Sequence, residues 1–206
     1  LVAPFNLHDS MIEKIDHETK SARSGKDSRI IIKVNSLIDP EIILSLYRAS
    51  QAGVKVDLIV RGICGLVPGV KGLSENIRVR SLLGRFLEHS RVYYFKNSPK
   101  GEAVYAGSPD WMPRNFFRRI EVVFPIEEKS MEDEILQTME DFLKDNQLAS
   151  ELRKNGSYLP APKRRRPAFS VQEQLINQSE KRAEKERLVA RSGRTSGKTE
   201  DQCKTD

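Results

Sequence analysis

The sequence predicts an α/β fold, a mixed sheet flanked by helices, followed by a basic tail that is partly helical or disordered. Three observations predict it. Two β-branched runs, 29–34 (RIIIKV) and 54–60 (VKVDLIV), enclose a stretch of helical periodicity, the spacing of a βαβ unit with parallel strands. Residues 91–95 and 103–106 flank the turn-forming Asn97-Ser98-Pro99-Lys100-Gly101 as the arms of a hairpin. Beyond Pro160 apolar residues thin out while Lys and Arg accumulate.

The remaining elements follow in order. Residues 6–24 form a helix with Met11, Ile12, Ile15 and Ala22 on one face, Gly25 as its stop, and His8 and His17 on its solvent side. Asp39-Pro40 opens the next helix, a capping carboxylate followed by proline at the first helical position. That helix carries Ile42, Ile43, Leu46, Tyr47 and Ala49, and Gly53 ends it. The connection 61–76 is long and contains Gly62, Gly65, Pro68, Gly69 and Gly72; loops of this length are usually functional or disordered. It leaves the carboxyl end of a parallel strand, where open α/β sheets place their ligands. Short strands are expected at 77–80 and 119–124. An amphipathic helix over 130–144 turns Met131, Ile135, Met139, Phe142 and Leu143 inward, and a second helix over 146–154 is closed by Asn155-Gly156. Residues 1–160 are therefore read as the folded domain and 161–206 as a mobile basic tail. Val171, Leu175, Ile176, Leu188 and Val189 are too sparse there for a core.

Charge divides the same way. Of the formal net charge of +6, residues 1–159 hold 23 Lys and Arg against 22 Asp and Glu, whereas 160–206 hold 12 against 7. A nearly neutral folded part argues against a dedicated nucleic-acid-binding domain and confines any such role to the tail. No apolar run approaches the roughly 18 residues that span a bilayer. Leu1-Val2-Ala3-Pro4 carries no readable secretory signal, and the missing initiator methionine suggests a fragment or processed chain. Two cysteines, Cys64 and Cys203, cannot build a disulfide framework or a four-ligand zinc site, which suits a reducing cytoplasm and leaves membrane association open.

Candidate chemistry gathers at predicted strand ends. His89 stands in Arg85-Phe86-Leu87-Glu88-His89-Ser90-Arg91, between acid and base residues and just before a strand. Arg61 ends the second parallel strand, and its planar five-donor fork suits phosphate oxygens as well as a surface carboxylate. In Gly107-Ser108-Pro109-Asp110-Trp111-Met112-Pro113-Arg114-Asn115, followed by Arg118 and Arg119, donors again follow a strand; Trp111 is read as a core anchor. Lys33 and Asn35 end the first strand and face the same crevice. Together these residues point to an anionic ligand. The chain has neither a GxxxxGK[ST] phosphate loop nor a GxGxxG fingerprint, and Cys64 reads as a packing residue.

Several segments in this order and spacing resemble a known family. LVAPFN, KVNSLID, ASQAGVKVDLIVRGICGLVPGVKGLSENIRVRSLLGRFLEHSRVYYF, AGSPDWMPRN and RRIEV are similar to the last domain of the histidine-phosphorylated polyphosphate kinases, over about residues 1–160. The resemblance implies a phospholipase D-like fold and reversible transfer of the terminal phosphate of ATP to inorganic polyphosphate. It implies that Arg61 contacts nucleotide phosphate and that His89 is a catalytic residue beside the transferred phosphoryl group. The covalent phosphohistidine and the magnesium site of the family belong to preceding domains, so no metal site and no activity are expected of this chain alone. ATP, ADP, polyphosphate, the preceding domains and a homo-oligomeric full-length enzyme are the implied partners. Lys33, Asn35, Arg91, Ser108, Arg114 and Arg119 are weaker candidates for a polyphosphate channel, on residue type and position.

Two other readings stay open. Kinship with phospholipase D enzymes suggests a phosphodiesterase or nuclease, but their H-x-K-x4-D motif is broken. Counted from His89, Arg91 stands at the lysine position and Lys96 at the aspartate position, and Asp110 replaces the asparagine of GSxN. A basic-tailed nucleic-acid or partner-binding module is the third reading, resting on Lys163-Arg164-Arg165-Arg166.

Overall fold

The computed structural model of the chain describes residues 1–162 and 167–195. The run 163–166, residues 196–206 and hence Cys203 lie outside the described residues. In chain order the elements are β1 (Val2–Ala3), α1 (Leu7–Arg23), β2 (Arg29–Val34), α2 (Pro40–Gln51), β3 (Lys55–Val60), β4 (Ile77–Leu82) and β5 (Arg91–Phe95). Then come β6 (Val104–Gly107), α3 (Pro113–Phe117), β7 (Glu121–Pro125), α4 (Lys129–Lys144), β8 (Ala149–Leu152), β9 (Tyr158–Pro160) and α5 (Val171–Thr195). The strands form one mixed sheet in the order β1-β7-β6-β5-β2-β3-β4-β8-β9. β2, β3 and β4 are parallel, and β5 and β8 add antiparallel to either side of them.

Strand alternation explains the layers. Ile30, Ile32 and Val34 of β2 point to one face, where they join Leu7, Met11 and Ile15 of α1 and Ile42, Leu46 and Ala49 of α2. Ile31 points to the other face, with Met139 and Phe142 of α4 and Val171 of α5. A buried aliphatic side chain of this size contributes roughly 1.5–3 kcal/mol, so both faces must be covered, as the unbroken apolar run of β2 requires. The α2 start behaves as its sequence dictates: the Asp39 carboxylate accepts the Ile42 N–H at 3.0 Å with Pro40 at the first helical position. Trp111 is fully buried and stacked on Tyr93, a core anchor.

Four expectations need correction. His8 is not a solvated bystander: it is buried, 3.2 Å from the Asp39 carboxylate, with its ring against Phe116 and Phe117. Met131 faces solvent, because the inward stripe of α4 begins one turn later. The expected helix over 146–154 is instead the strand β8, paired with β4 and turned by Arg153–Ser157 into β9. The Asp145 carboxylate accepts the N–H groups of Gln147, Leu148 and Ala149 as a helix cap would, but pairing with β4 decides the conformation beyond it. Finally, the apolar residues after Pro160 are not all surplus: Val171 is fully buried, and Phe169 and Leu175 pack beside it. No helix among the described residues is long and apolar enough to cross a membrane.

Candidate active site at one edge of the sheet

Strand direction gathers the candidate residues. β2 and β3 run the same way, β5 runs against β2, and β6 runs against β5. The carboxyl ends of β2, β3 and β6 and the amino end of β5 therefore share one edge. Asn35 follows β2, Arg61 follows β3, His89 and Arg91 sit at the start of β5, and Ser108 to Asp110 follow β6. Close approach of two loops requires Gly62: its N–H donates to the Asn35 carbonyl at 2.8 Å, and an added Cβ would meet that oxygen at 2.7 Å.

Asp110 is the hub of this edge. One carboxylate oxygen accepts the Asn35 N–H at 2.7 Å, the Asn35 side-chain amide at 3.1 Å and the Ser36 N–H at 3.3 Å. Arg91 donates to both carboxylate oxygens at 3.3 Å. The same guanidinium reaches His89: its Nη1 lies 3.0 Å from Nδ1 and donates to the His89 carbonyl at 3.0 Å. On the other side Asn35 accepts a hydrogen bond from Arg61 Nε through its side-chain oxygen. A connected chain thus runs from Arg61 through Asn35, Asp110 and Arg91 to His89.

Lys33 supports the edge from within. Its side chain is 3% exposed and reaches Ser90 Oγ at 2.8 Å and Glu88 Oε2 at 3.3 Å, with its ammonium 4.8 Å from the Phe142 ring centroid. Burial pushes the Lys33 ammonium below the ordinary lysine range; Glu88 opposes that shift, and Arg61 and Arg91 add to it. Both terminal nitrogens of Arg61, by contrast, make no hydrogen bond or ion pair to any described residue. His89 is exposed.

The structure therefore brings Lys33, Asn35, Arg61, His89 and Arg91 together. Ser108 follows β6 at the same edge but donates to Glu121, which also accepts from Asn115. Arg114 and Arg119, on and after α3, are exposed and pair with no described residue. Asp110 and Glu88 were not among the sequence-derived site residues. The one available signal for Asp110 was its place in Gly107-Ser108-Pro109-Asp110 after a strand. Both carboxylates are engaged by protein donors, Asp110 by N–H groups of Asn35, Ser36 and Arg91 and Glu88 by Lys33 and Gln172. No group of three or more His, Cys, Asp or Glu among the described residues is placed to hold a metal. A concavity of about 580 Å³ along β4 and the β8–β9 turn includes none of the site residues.

The family model of polyphosphate kinase C-terminal domain 2 matches residues 1–172. A polyphosphate kinase of Paraburkholderia phytofirmans is 52% identical over 169 residues, which make up 82% of this chain and 24% of that protein. One of Burkholderia cenocepacia is 53% identical over 157 residues, 76% of this chain and 23% of that protein. The crystal structure of polyphosphate kinase from Porphyromonas gingivalis superposes with a TM-score of 0.84 at 36% identity, covering 90% of this chain and 28% of its own. The chain thus spans about a quarter of the length of the relatives it matches. Nuc of Salmonella typhimurium, a phospholipase D family member, superposes with a TM-score of 0.53 at 17% identity over 74% of this chain and 95% of its own, a likeness of fold alone.

Proposed function

Since the chain belongs to the family of polyphosphate kinase C-terminal domain 2, we propose that it forms one wall of a catalytic centre that transfers the terminal phosphate of ATP reversibly to inorganic polyphosphate. The observation that carries this reading is the Arg61 fork, anchored through Nε and open at both terminal nitrogens, on the same edge as exposed His89. A guanidinium held at its stem and free at its tip is built to grip phosphate oxygens in pairs. Three cations against two carboxylates leave this edge with a surplus of positive charge that suits a polyanion.

Each residue has a part. Arg61 holds nucleotide phosphate. His89 gives a hydrogen bond or proton to an oxygen of the departing or incoming phosphate. Arg91 and Asp110 fix the His89 segment, while Lys33 and Asn35 brace it from below. Exposed Ser108, Arg114 and Arg119 remain candidates for the path of the polyphosphate chain. In this reading a histidine in the part of the enzyme outside this chain attacks the γ-phosphorus and expels ADP. The terminal oxygen of polyphosphate then takes the phosphoryl group from that histidine. The transferring group carries its charge on peripheral oxygens, so positioned donors account for most of the catalysis. Magnesium is assigned to that other part as well, following the family resemblance.

The test compares wild-type and His89→Ala full-length enzyme on two substrates, ATP with polyphosphate and a generic phosphodiester. Loss of phosphoryl transfer by His89→Ala, with no cleavage of the diester by either protein, is the expected result. Cleavage of the diester that depends on His89, with polyphosphate untouched, would replace the kinase by a phosphodiesterase.

A further inference from the structure

We propose that Gln172, the second residue of α5, is a positioning residue for the segment that carries His89; this inference rests on the role of His89 proposed above. Residues 83–90 link β4 to β5 without regular structure. The core does little to hold them, since Leu83, Phe86 and Leu87 are exposed at 66%, 46% and 70%. Among the described residues, the backbone of residues 84–88 makes hydrogen bonds to Gln172 alone. The Gln172 amide oxygen accepts the Phe86 N–H at 3.2 Å, and its nitrogen donates to the Phe86 carbonyl at 2.9 Å and to Glu88 Oε1 at 2.7 Å. Two acceptors on one side and a donor on the other leave only one orientation of the amide that satisfies all three partners.

Gln172 is itself held. It is 5% exposed and follows Val171, which is fully buried and whose N–H donates to Asp145 at 2.8 Å. Glu88, gripped on one side by Gln172, binds the Lys33 ammonium on the other, so the clamp continues into the base of the site. Gly84 shows how tight the fit is: an added Cβ would lie 2.5 Å from the Gln172 amide oxygen. Residues 84–88 thus take their backbone anchoring from a helix that begins more than 80 positions later in the chain. A displacement near 1 Å at a reacting group can cost about 10²-fold in rate.

The experiment uses the full-length enzyme with Gln172→Ala, Gly84→Ala, His89→Ala and the outward-facing control Glu173→Ala. Three quantities are read: kcat and KM with ATP and polyphosphate, the thermal midpoint, and hydrogen exchange at the Phe86 amide. Gln172→Ala and Gly84→Ala reach the clamp from opposite sides. Each should lower kcat by about 10–100-fold and speed Phe86 exchange, with KM for ATP near wild type; Glu173→Ala should do neither. Unchanged Phe86 exchange in both variants overturns the clamp. Faster exchange with unchanged kcat overturns the positioning role, as does a kcat loss that Glu173→Ala shares. A fully active His89→Ala enzyme instead sinks the functional reading, and the catalytic half of this proposal with it.

Discussion

The two ends of β2 and β3 both carry arginine–carboxylate networks, yet they are built to opposite purposes. Toward the amino end, Asp57 is 1% exposed and accepts from Arg29 at 3.0 Å and Arg78 at 2.7 Å, while Arg29 also binds Glu140. Two arginines meet two carboxylates, and the charge is closed. At the carboxyl end Lys33, Arg61 and Arg91 face Glu88 and Asp110, and the Arg61 fork has no carboxylate. One end is a finished structural knot. The other is a cationic edge on which the Arg61 fork keeps donors without a partner among the described residues. The contrast teaches that an arginine at a strand end says little until its partners are counted.

The largest effect should separate the two hubs. Asp110→Ala strands the mostly buried Arg91 and the N–H donors of Asn35 and Ser36, and Asp57→Ala removes the shared acceptor of partly exposed Arg29 and largely exposed Arg78. Each should cost about 1–3 kcal/mol of stability. In the full-length enzyme only Asp110→Ala should also abolish phosphoryl transfer by the molecules that remain folded. Equal activity losses, measured well below both thermal midpoints, would erase the distinction. Next in size is the open fork itself. Arg61→Ala should lower the transfer rate by about 10²–10³-fold with a nearly unchanged midpoint, because it removes only one internal hydrogen bond. Arg61→Lys should recover little, since an ammonium cannot make the paired contact. Recovery to wild-type rate would mean that charge alone suffices.

A smaller effect concerns the start of α5, which packs at the open end. Ending the chain at Pro160 removes Phe169, Val171 and Leu175 from the core, at roughly 1.5–3 kcal/mol for each side chain fully buried. Ending it after Glu180 should leave the unfolding free energy within about 0.5 kcal/mol of the intact chain, as for surface changes generally. The boundary at residue 160 stands if both truncations unfold alike.

The smallest prediction is a pH slope. Lys33 is held below the ordinary value of 10.5, so in the window between its folded value and 10.5 the unfolded chain binds a proton that the folded chain does not. Stability must then rise with pH through that window. Denaturant melts of wild type and Lys33→Met at several alkaline pH values should diverge in favour of wild type as pH rises. Parallel slopes would show that burial does not govern this lysine.

Much of the fold was legible because it is locally encoded. The apolar run of β2, the Asp39-Pro40 start of α2 and the hairpin of β5 and β6 each follow from residues within a few positions of one another. Placing Arg61 and His89 at strand ends was enough to nominate them, and the roles proposed for them come from the family resemblance. The errors were of another kind. The segment 146–154 became a strand because β4, some 70 residues earlier, offered it a ladder; Asn155-Gly156, read as a helix stop, is a hairpin turn. His8 was judged by its own helix, but the rings of Phe116 and Phe117 arrive from more than 100 residues away.

By itself, then, the sequence determined the strands and helices with strong periodicity, the caps, and which side chains stand at strand ends. The tertiary structure alone decided which of those side chains are neutralised and which are left open. Asp110 meets Asn35 across 75 positions, and Gln172 meets Phe86 across 86. The physical reason is that a charged group's role depends on what fills the few ångströms around it. In this fold, those neighbours come from the far end of the chain.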